Sequence, residues 1–157
     1  METNQPYRTW RRSRGNRLPA NCYAEGRPIH VTINAFGDTA PFEHPEHAAQ
    51  VFRLVANHAE TIAACLMPDH LHWLQRDAAG VVKTVQGFKS YSTRVLQRAG
   101  WRGPVWQRSF WDHVIRRRES LTAVVEYILA NPVRKRLARA WDEYPYSVVR
   151  AERMGSG

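Results

Sequence analysis

Met67-Pro68-Asp69-His70-Leu71-His72-Trp73-Leu74-Gln75 sets two histidines two residues apart inside an apolar run. In an extended strand alternate side chains share a face. His70, His72 and Leu74 then lie on one side, with Leu71 and Trp73 on the other, toward a core. Two neutral imidazoles side by side supply half of a metal site. They equally suit a strand whose polar face has no chemistry, and the pair alone does not decide between the two. Thr61 to Met67, just upstream, is short and apolar. With Pro68-Asp69 as a turn or bulge, the two stretches pair as a hairpin.

Working outward from this hairpin, Pro28 to Asn34 alternates, is rich in β-branched residues, and reads as strand one. Pro45 to Glu60 carries Ala48, Val51, Phe52, Val55 and Ala59 at helical spacing. Downstream, Ala79 to Arg98 places Val82, Val85, Phe88, Ser92, Val95 and Leu96 on one helical face, and Gly100 to Pro104 breaks it. Ser109 to Arg116 reads as strand four. Glu119 to Ala130 reads as helix three, ended by Asn131-Pro132 because proline cannot continue the hydrogen-bond ladder. Val133 to Trp141 is expected to restart as a short basic helix, with Asn131 as N-cap and Pro132 at its first position. The order strand–helix–strand–strand–helix–strand is the split βαβ pattern. It predicts an α+β, ferredoxin-like antiparallel sheet with helices on one face. The His70/His72 face is then open to solvent or covered by the third helix.

The chain has 157 residues, 43% of them hydrophobic, which suits one domain with a real core. Residues 1–26 read as a basic flexible arm carrying Arg8, Arg11, Arg12, Arg14 and Arg17, residues 27–147 as the folded domain, and residues 148–157 as a weakly ordered tail. No apolar run reaches the roughly 18 residues of a membrane span, and the first residues show no apolar signal segment. Cys22 and Cys65 are single and far apart, so a reducing cytoplasm and no disulfide are expected. The formal net charge of +9 points to a polyanionic partner. Basic residues are interleaved with aromatics, as in Tyr7-Arg8-Thr9-Trp10-Arg11-Arg12 and Trp106-Gln107-Arg108-Ser109-Phe110-Trp111. Cations neutralise phosphates and flat rings stack on unpaired bases, which favours nucleic acid over membrane.

Tyr127 and Asn131 are four apart and share a helical face. Tyr127 borders the apolar stripe of Val124 and Ile128, so it suits either an amphipathic core position or a nucleophile. A phenol ordinarily ionises near pH 10, so attack at neutral pH needs help. A divalent ion polarising the phosphate supplies that help. His70, His72 and the Asn131 carbonyl would make a three-ligand site with open positions, suited to Mg²⁺ or, by ligand type, better to Mn²⁺. Tyr91 is a second candidate nucleophile but has Val95 where a ligand four residues on would stand. Lys89, Arg94, Gln107 and Arg108 are candidate DNA contacts. Asp112 and His113 suit either the site or the framework.

With these residues in hand, the chain resembles the REP-associated tyrosine transposases, single-tyrosine members of the HUH endonuclease superfamily. Four blocks carry the likeness: Met-Pro-Asp-His-Leu-His-Trp-Leu at 67–74, Phe-Lys-Ser-Tyr at 88–91, Val-Trp-Gln-Arg-Ser-Phe-Trp-Asp-His-Val-Ile-Arg at 105–116, and Glu-Tyr-Ile-Leu-Ala-Asn-Pro-Val-Arg at 126–134. The resemblance implies that His70 and His72 bind metal, that Tyr127 is the nucleophile, and that Asn131 completes the metal site. It implies a metal-dependent enzyme that nicks hairpin-forming single-stranded DNA through a 5′-phosphotyrosine and can rejoin strands. It further implies a bacterial, cytoplasmic, nucleoid-associated protein, monomeric or homodimeric, with no membrane partner. The chain is short after Tyr146, where some relatives extend further, so regulation or hairpin specificity is expected to differ.

Two other classes compete. A catalytically silent binder of structured single-stranded DNA or RNA would use the same basic face but has no need of His70, His72 and Tyr127 together. A zinc hydrolase calls for a third strong ligand at motif spacing, and the chain has no His-Glu-x-x-His and no Cys-x-x-Cys.

Overall fold

The computed structural model describes residues 26–116 and 120–155. The expected arm, with Arg8, Arg11, Arg12, Arg14 and Arg17, lies outside the described residues, as do Cys22 and Glu119.

Five antiparallel strands form one sheet: β1 (Ile29–Asn34), β2 (Thr61–Met67), β3 (His70–Gln75), β4 (Trp111–Val114) and β5 (Ser147–Val149), in the order β4-β1-β3-β2-β5. The first four strands reproduce the split βαβ arrangement expected from the sequence. β5 falls at the head of the expected tail. Instead of being weakly ordered, it pairs with β2 through Ala63, Ala64 and Cys65, and the Arg150 N–H donates to the Ile62 carbonyl.

α1 (Pro45–Ala56) and α2 (Val81–Arg98) cover one face of the sheet. Alternation along the strands decides which residues meet them: Ile29, Val31 and Ile33 from β1, Ala64 and Leu66 from β2, Leu71 and Trp73 from β3. Trp73 is fully buried, and its indole N–H donates to Thr61 Oγ1 at 2.9 Å; that hydroxyl donates in turn to the Val55 carbonyl at 2.6 Å. A buried indole thus finds the partner its N–H requires, and β3, β2 and α1 are tied together. Trp106 repeats the device, donating to Ser92 Oγ on α2 at 2.9 Å.

α3 (Leu121–Leu129) lies across the opposite face. Ser120 caps it, its Oγ accepting from the Ala123 N–H at 3.2 Å, a cap that contributes about 1 kcal/mol. Val124, Val125, Ile128 and Leu129 bury against Ile62, Ala63, Cys65, Met67 and Leu74. A bulge in β2 between Thr61 and Ala63 brings both Ile62 and Ala63 to this face. The face carrying His70 and His72 is therefore covered by α3.

Further elements differ from expectation: α1 ends at Ala56, short of Glu60. Strand four is shorter, Trp111–Val114. The basic helix is one turn, α4 (Asn131–Arg134), with Ala130 at its N-cap position and no side-chain cap, and the chain from Lys135 to Ala140 is not helical. Asn131 does not cap it because its amide faces back onto α3. No helix among the described residues is long and apolar enough to cross a membrane.

Candidate active site

Register places the site. Thr32 on β1 and Cys65 on β2 both pair with His72 on β3, Asn34 pairs with His70, and His30 pairs with His113 on β4. Paired residues point the same way, so His113, His30, His72 and His70 line the sheet face beneath α3. The histidine pair legible in the sequence is thus part of a longer row.

The row is hydrogen-bonded. Asp69 Oδ1 lies 2.7 Å from His70 Nδ1, His70 Nε2 lies 3.2 Å from His72 Nε2, and His72 Nδ1 lies 3.1 Å from His30 Nε2 and 3.3 Å from Thr32 Oγ1. A carboxylate only accepts, so His70 Nδ1 is the donor and, in the neutral ring, His70 Nε2 holds a lone pair. Burial pushes His72 well below the usual imidazole range, reinforced by His30, His70 and Arg134. Burial, and then the nearby His113, lowers His30 to about 3. Both buried rings are neutral at pH 7. His72 has two tautomers. With the proton on Nε2 it donates to His70. With the proton on Nδ1 it donates to His30, and two lone pairs then face each other across 3.2 Å. That arrangement is electron-rich, and a cation between the two nitrogens would stabilise it.

That spacing is the fit test for a metal. Two nitrogens on one ion at about 2.1 Å, in tetrahedral to octahedral angles, stand about 3.0–3.4 Å apart. The two Nε2 atoms stand within that range. Among the described residues no set of three His, Cys, Asp or Glu is arranged to hold an ion, so the pair is not part of a three-ligand cluster of those residue types.

Tyr127 hangs from α3 over this row. Its ring meets His72 edge-on at 6.0 Å between centroids and His30 at 6.3 Å. The Arg134 guanidinium lies 4.6 Å over the same ring, and its Nη2 donates to the Tyr127 carbonyl at 3.1 Å. Asn131 is buried, and its Nδ2 donates to the Tyr127 and Ile128 carbonyls at 3.1 and 3.0 Å. Its Oδ1 is the end turned away from those carbonyls. The structure therefore brings Tyr127, His70 and His72 together, while the Asn131 amide is engaged with the backbone of α3.

The remaining candidates lie elsewhere. Tyr91 is exposed on α2 beside Arg94, away from the histidine row. Arg94, Gln107 and Arg108 line an open groove of about 750 Å³ together with Ser90 and Thr93. Its position next to β1 is set by Ala35 bridging Trp106 and by the Gln107 N–H donating to the Asn34 carbonyl. Lys89 also borders the groove, but its ammonium donates to the carbonyls of Gln107, Arg108 and Ser109 at 2.6, 3.2 and 3.0 Å. It ties the 107–109 segment to α2, a different task from the phosphate contact expected of it. His30 and Arg134 escaped the sequence reading. His30 alternates with Ile29 and Val31, which shows that it faces away from the apolar side, but only the β1–β3 register sets it beside His72.

Comparison with known proteins agrees with the fold. The profile of the family described as "Transposase IS200 like" matches residues 43–131. A curated protein of Haemophilus influenzae, described as a putative REP-associated tyrosine transposase, is 32% identical over 102 residues, covering 56% of this chain and 57% of that protein. The match thus spans little more than half the length of that relative. Among solved structures, a REP-associated tyrosine transposase bound to a REP hairpin superposes with a TM-score of 0.65 at 21% identity, covering 87% of this chain and 82% of the other. At that identity the likeness speaks for the fold.

Proposed function

The chain belongs to the IS200-like transposase family, and from that premise we propose that it is a DNA nicking and joining enzyme whose nucleophile is Tyr127 and whose substrate is single-stranded DNA bearing a REP-like hairpin. The observation that carries the reading is the Tyr127 ring held edge-on over His72, 6.0 Å between centroids. A phenol is thereby placed beside two nitrogens at metal-ligand spacing.

In the reaction, Tyr127 Oη attacks a backbone phosphorus. The Oη–P bond forms, the P–O3′ bond breaks, the phenolic proton leaves to water, and the departing oxygen takes a proton to become a 3′-OH. The downstream strand stays on Tyr127 through its 5′-phosphate as a phosphotyrosine. A 3′-OH attacking that phosphorus forms the new P–O3′ bond and releases the tyrosine, so no nucleotide cofactor is consumed. His70 and His72 would hold a divalent ion through Nε2, with the Asn131 oxygen as a further donor, and that ion would draw charge off the scissile phosphate. Mn²⁺ suits two imidazoles better than Mg²⁺ does. His30 and Thr32 fix the His72 ring by its other nitrogen, as outer partners of metal-binding histidines commonly do. Arg94, Gln107 and Arg108, with the arginines of the arm, would hold the DNA. The hairpin carried by the structural neighbour supports this choice of substrate.

The test is a denaturing gel of the protein with labelled hairpin DNA and Mn²⁺ or Mg²⁺. The expected result is a band shifted upward by the covalent adduct, absent with EDTA and absent in Tyr127→Phe. Tight binding without an adduct, across metals and hairpins, would favour the silent binder. An adduct that survives Tyr127→Phe would remove Tyr127 from its role.

A further inference from the structure

The segment after α3 has features that catalysis by Tyr127 does not explain. From Asn131 to Trp141 it carries Arg134, Lys135, Arg136 and Arg139 and no acidic residue. Val133, Leu137 and Trp141 are 37%, 47% and 41% exposed, three of the five large hydrophobic side chains exposed among the described residues. They stand among cations on the surface, and the turn Trp141–Glu143 folds back against α4.

The backbone adds an independent observation. Arg136 has φ 58°, the only positive φ of a non-glycine residue among the described residues. It closes α4 in a Schellman motif, with the Leu137 N–H on the Pro132 carbonyl at 2.8 Å and the Arg136 N–H on the Val133 carbonyl at 3.0 Å. That position favours glycine, because a Cβ strains the left-handed conformation. An arginine is held there at a conformational cost. Among the described residues, Lys135, Arg136 and Arg139 make no side-chain hydrogen bond or ion pair that would offset it.

We propose that Val133 to Trp141 is a docking surface for the single-stranded DNA flanking the hairpin, next to the phosphate that Tyr127 attacks. The proposal rests on the function argued above. Charge selects a polyanion, and continuity selects the place: Arg134 begins the patch and already sits over the Tyr127 ring. Lys135, Arg136 and Arg139 neutralise successive phosphates. Trp141, 41% exposed, offers a face on which an unpaired base stacks, as aromatic platforms do for single strands. Duplex DNA has no free base to offer Trp141, so the surface distinguishes a flanked hairpin from a blunt one.

The experiment is fluorescence anisotropy with the full chain in EDTA, so that DNA is bound and not cut. The probes are a hairpin with a single-stranded flank and the same hairpin with a blunt end. Arg136→Gly is the informative variant. It relieves the backbone, so its melting temperature should rise by about 2–4 °C, while affinity for the flanked hairpin falls by about threefold to tenfold. Lys135→Ser, Arg136→Gly and Arg139→Ser combined should lower the slope of log Kd against log salt by about two to three. Trp141→Ala should lose most of the preference for the flanked hairpin. An unchanged Kd and salt slope in the triple variant would overturn the proposal. So would an Arg136→Gly chain whose stability falls together with its affinity. A Trp141→Ala change that dissociates a dimer and leaves DNA affinity intact would reassign the patch to a protein interface. If the wild-type chain binds neither hairpin, the function proposed above fails first and this surface with it.

Discussion

His30 Nε2 and His72 Nδ1 stand 3.1 Å apart on neighbouring strands, both rings buried beneath α3. The contact sets which nitrogen of His72 is free to face His70. When His30 accepts from His72 Nδ1, the His72 Nε2 lone pair points at the His70 Nε2 lone pair. Replacing His30 by leucine fills the space but removes the acceptor, leaving Thr32 Oγ1 at 3.3 Å to orient the ring alone. Mn²⁺ affinity, read by electron paramagnetic resonance of the free ion, should fall about tenfold to a hundredfold, and His30→Gln should recover part of it. Equal affinity in His30→Leu and wild type would leave His30 a packing residue.

Acid should unfold the metal-free protein through the same histidines. His30 ionises near 3 in the folded chain against 6.5 in a free imidazole, and His72 is lowered in the same direction. Above pH 6.5 both states are neutral and the pair contributes no pH dependence. As pH falls from 6.5 toward 3 the unfolded chain takes up protons that the folded chain refuses. Stability then drops, by up to about 1.4 kcal/mol per pH unit for each group. The groups facing His30 are His113 on β4, His72 on β3 and Tyr127 on α3. Urea midpoints in EDTA should fall between pH 7 and pH 5 and fall less in His30→Leu. A flat profile over that range would mean that these rings are charged or open to solvent.

Lys89 and Arg94 border one groove but predict opposite outcomes. Lys89 places its ammonium on three backbone carbonyls, and hydrogen bonds to a charged group are worth about 1.5–3 kcal/mol each. Lys89→Met should therefore lower stability by about 2 kcal/mol or more and loosen the 107–109 segment. Arg94→Ala, at an exposed position, should leave the urea midpoint nearly unchanged. It should weaken hairpin binding and lower the salt slope by about one. Paired melts and binding isotherms separate the two, and a Lys89→Met chain with normal stability would contradict the tie.

How far the fold was legible follows from how local each signal is. Alternation in Leu71, His72 and Trp73 and the apolar stripe of α3 are properties of short windows, so strands, helices and the split of the hairpin into an apolar and a histidine-bearing face can be read from them, whereas the covering of the second face by α3 cannot. His30 needed the β1–β3 register, which joins residues 42 apart in sequence. Ser147-Val148-Val149 is too short to signal a strand, and it becomes one only because the edge of β2 is available to pair. Lys89 reads as a surface cation until the loop that wraps its ammonium is in place. The helix expected after Asn131-Pro132 fails at Arg136, where the left-handed backbone turns the chain out of the helix.

Asn131 carries two roles on two different atoms, and two substitutions separate them. As a metal ligand it would offer Oδ1. As a framework residue it uses Nδ2 to hold the Tyr127 and Ile128 carbonyls where α3 gives way to α4. Asn131→Asp keeps the oxygen and strengthens it as a ligand, but sets a carboxylate oxygen against two carbonyls and loses both donated bonds. The expected result is a loss of stability of about 2 kcal/mol measured by urea unfolding in EDTA, with Mn²⁺ binding retained or tightened. Asn131→Ala should lose comparable stability and bind Mn²⁺ more weakly. If the alanine variant binds Mn²⁺ as tightly as wild type, the ion needs only His70 and His72 from the protein, and Asn131 serves the site solely by fixing the end of the helix that carries Tyr127.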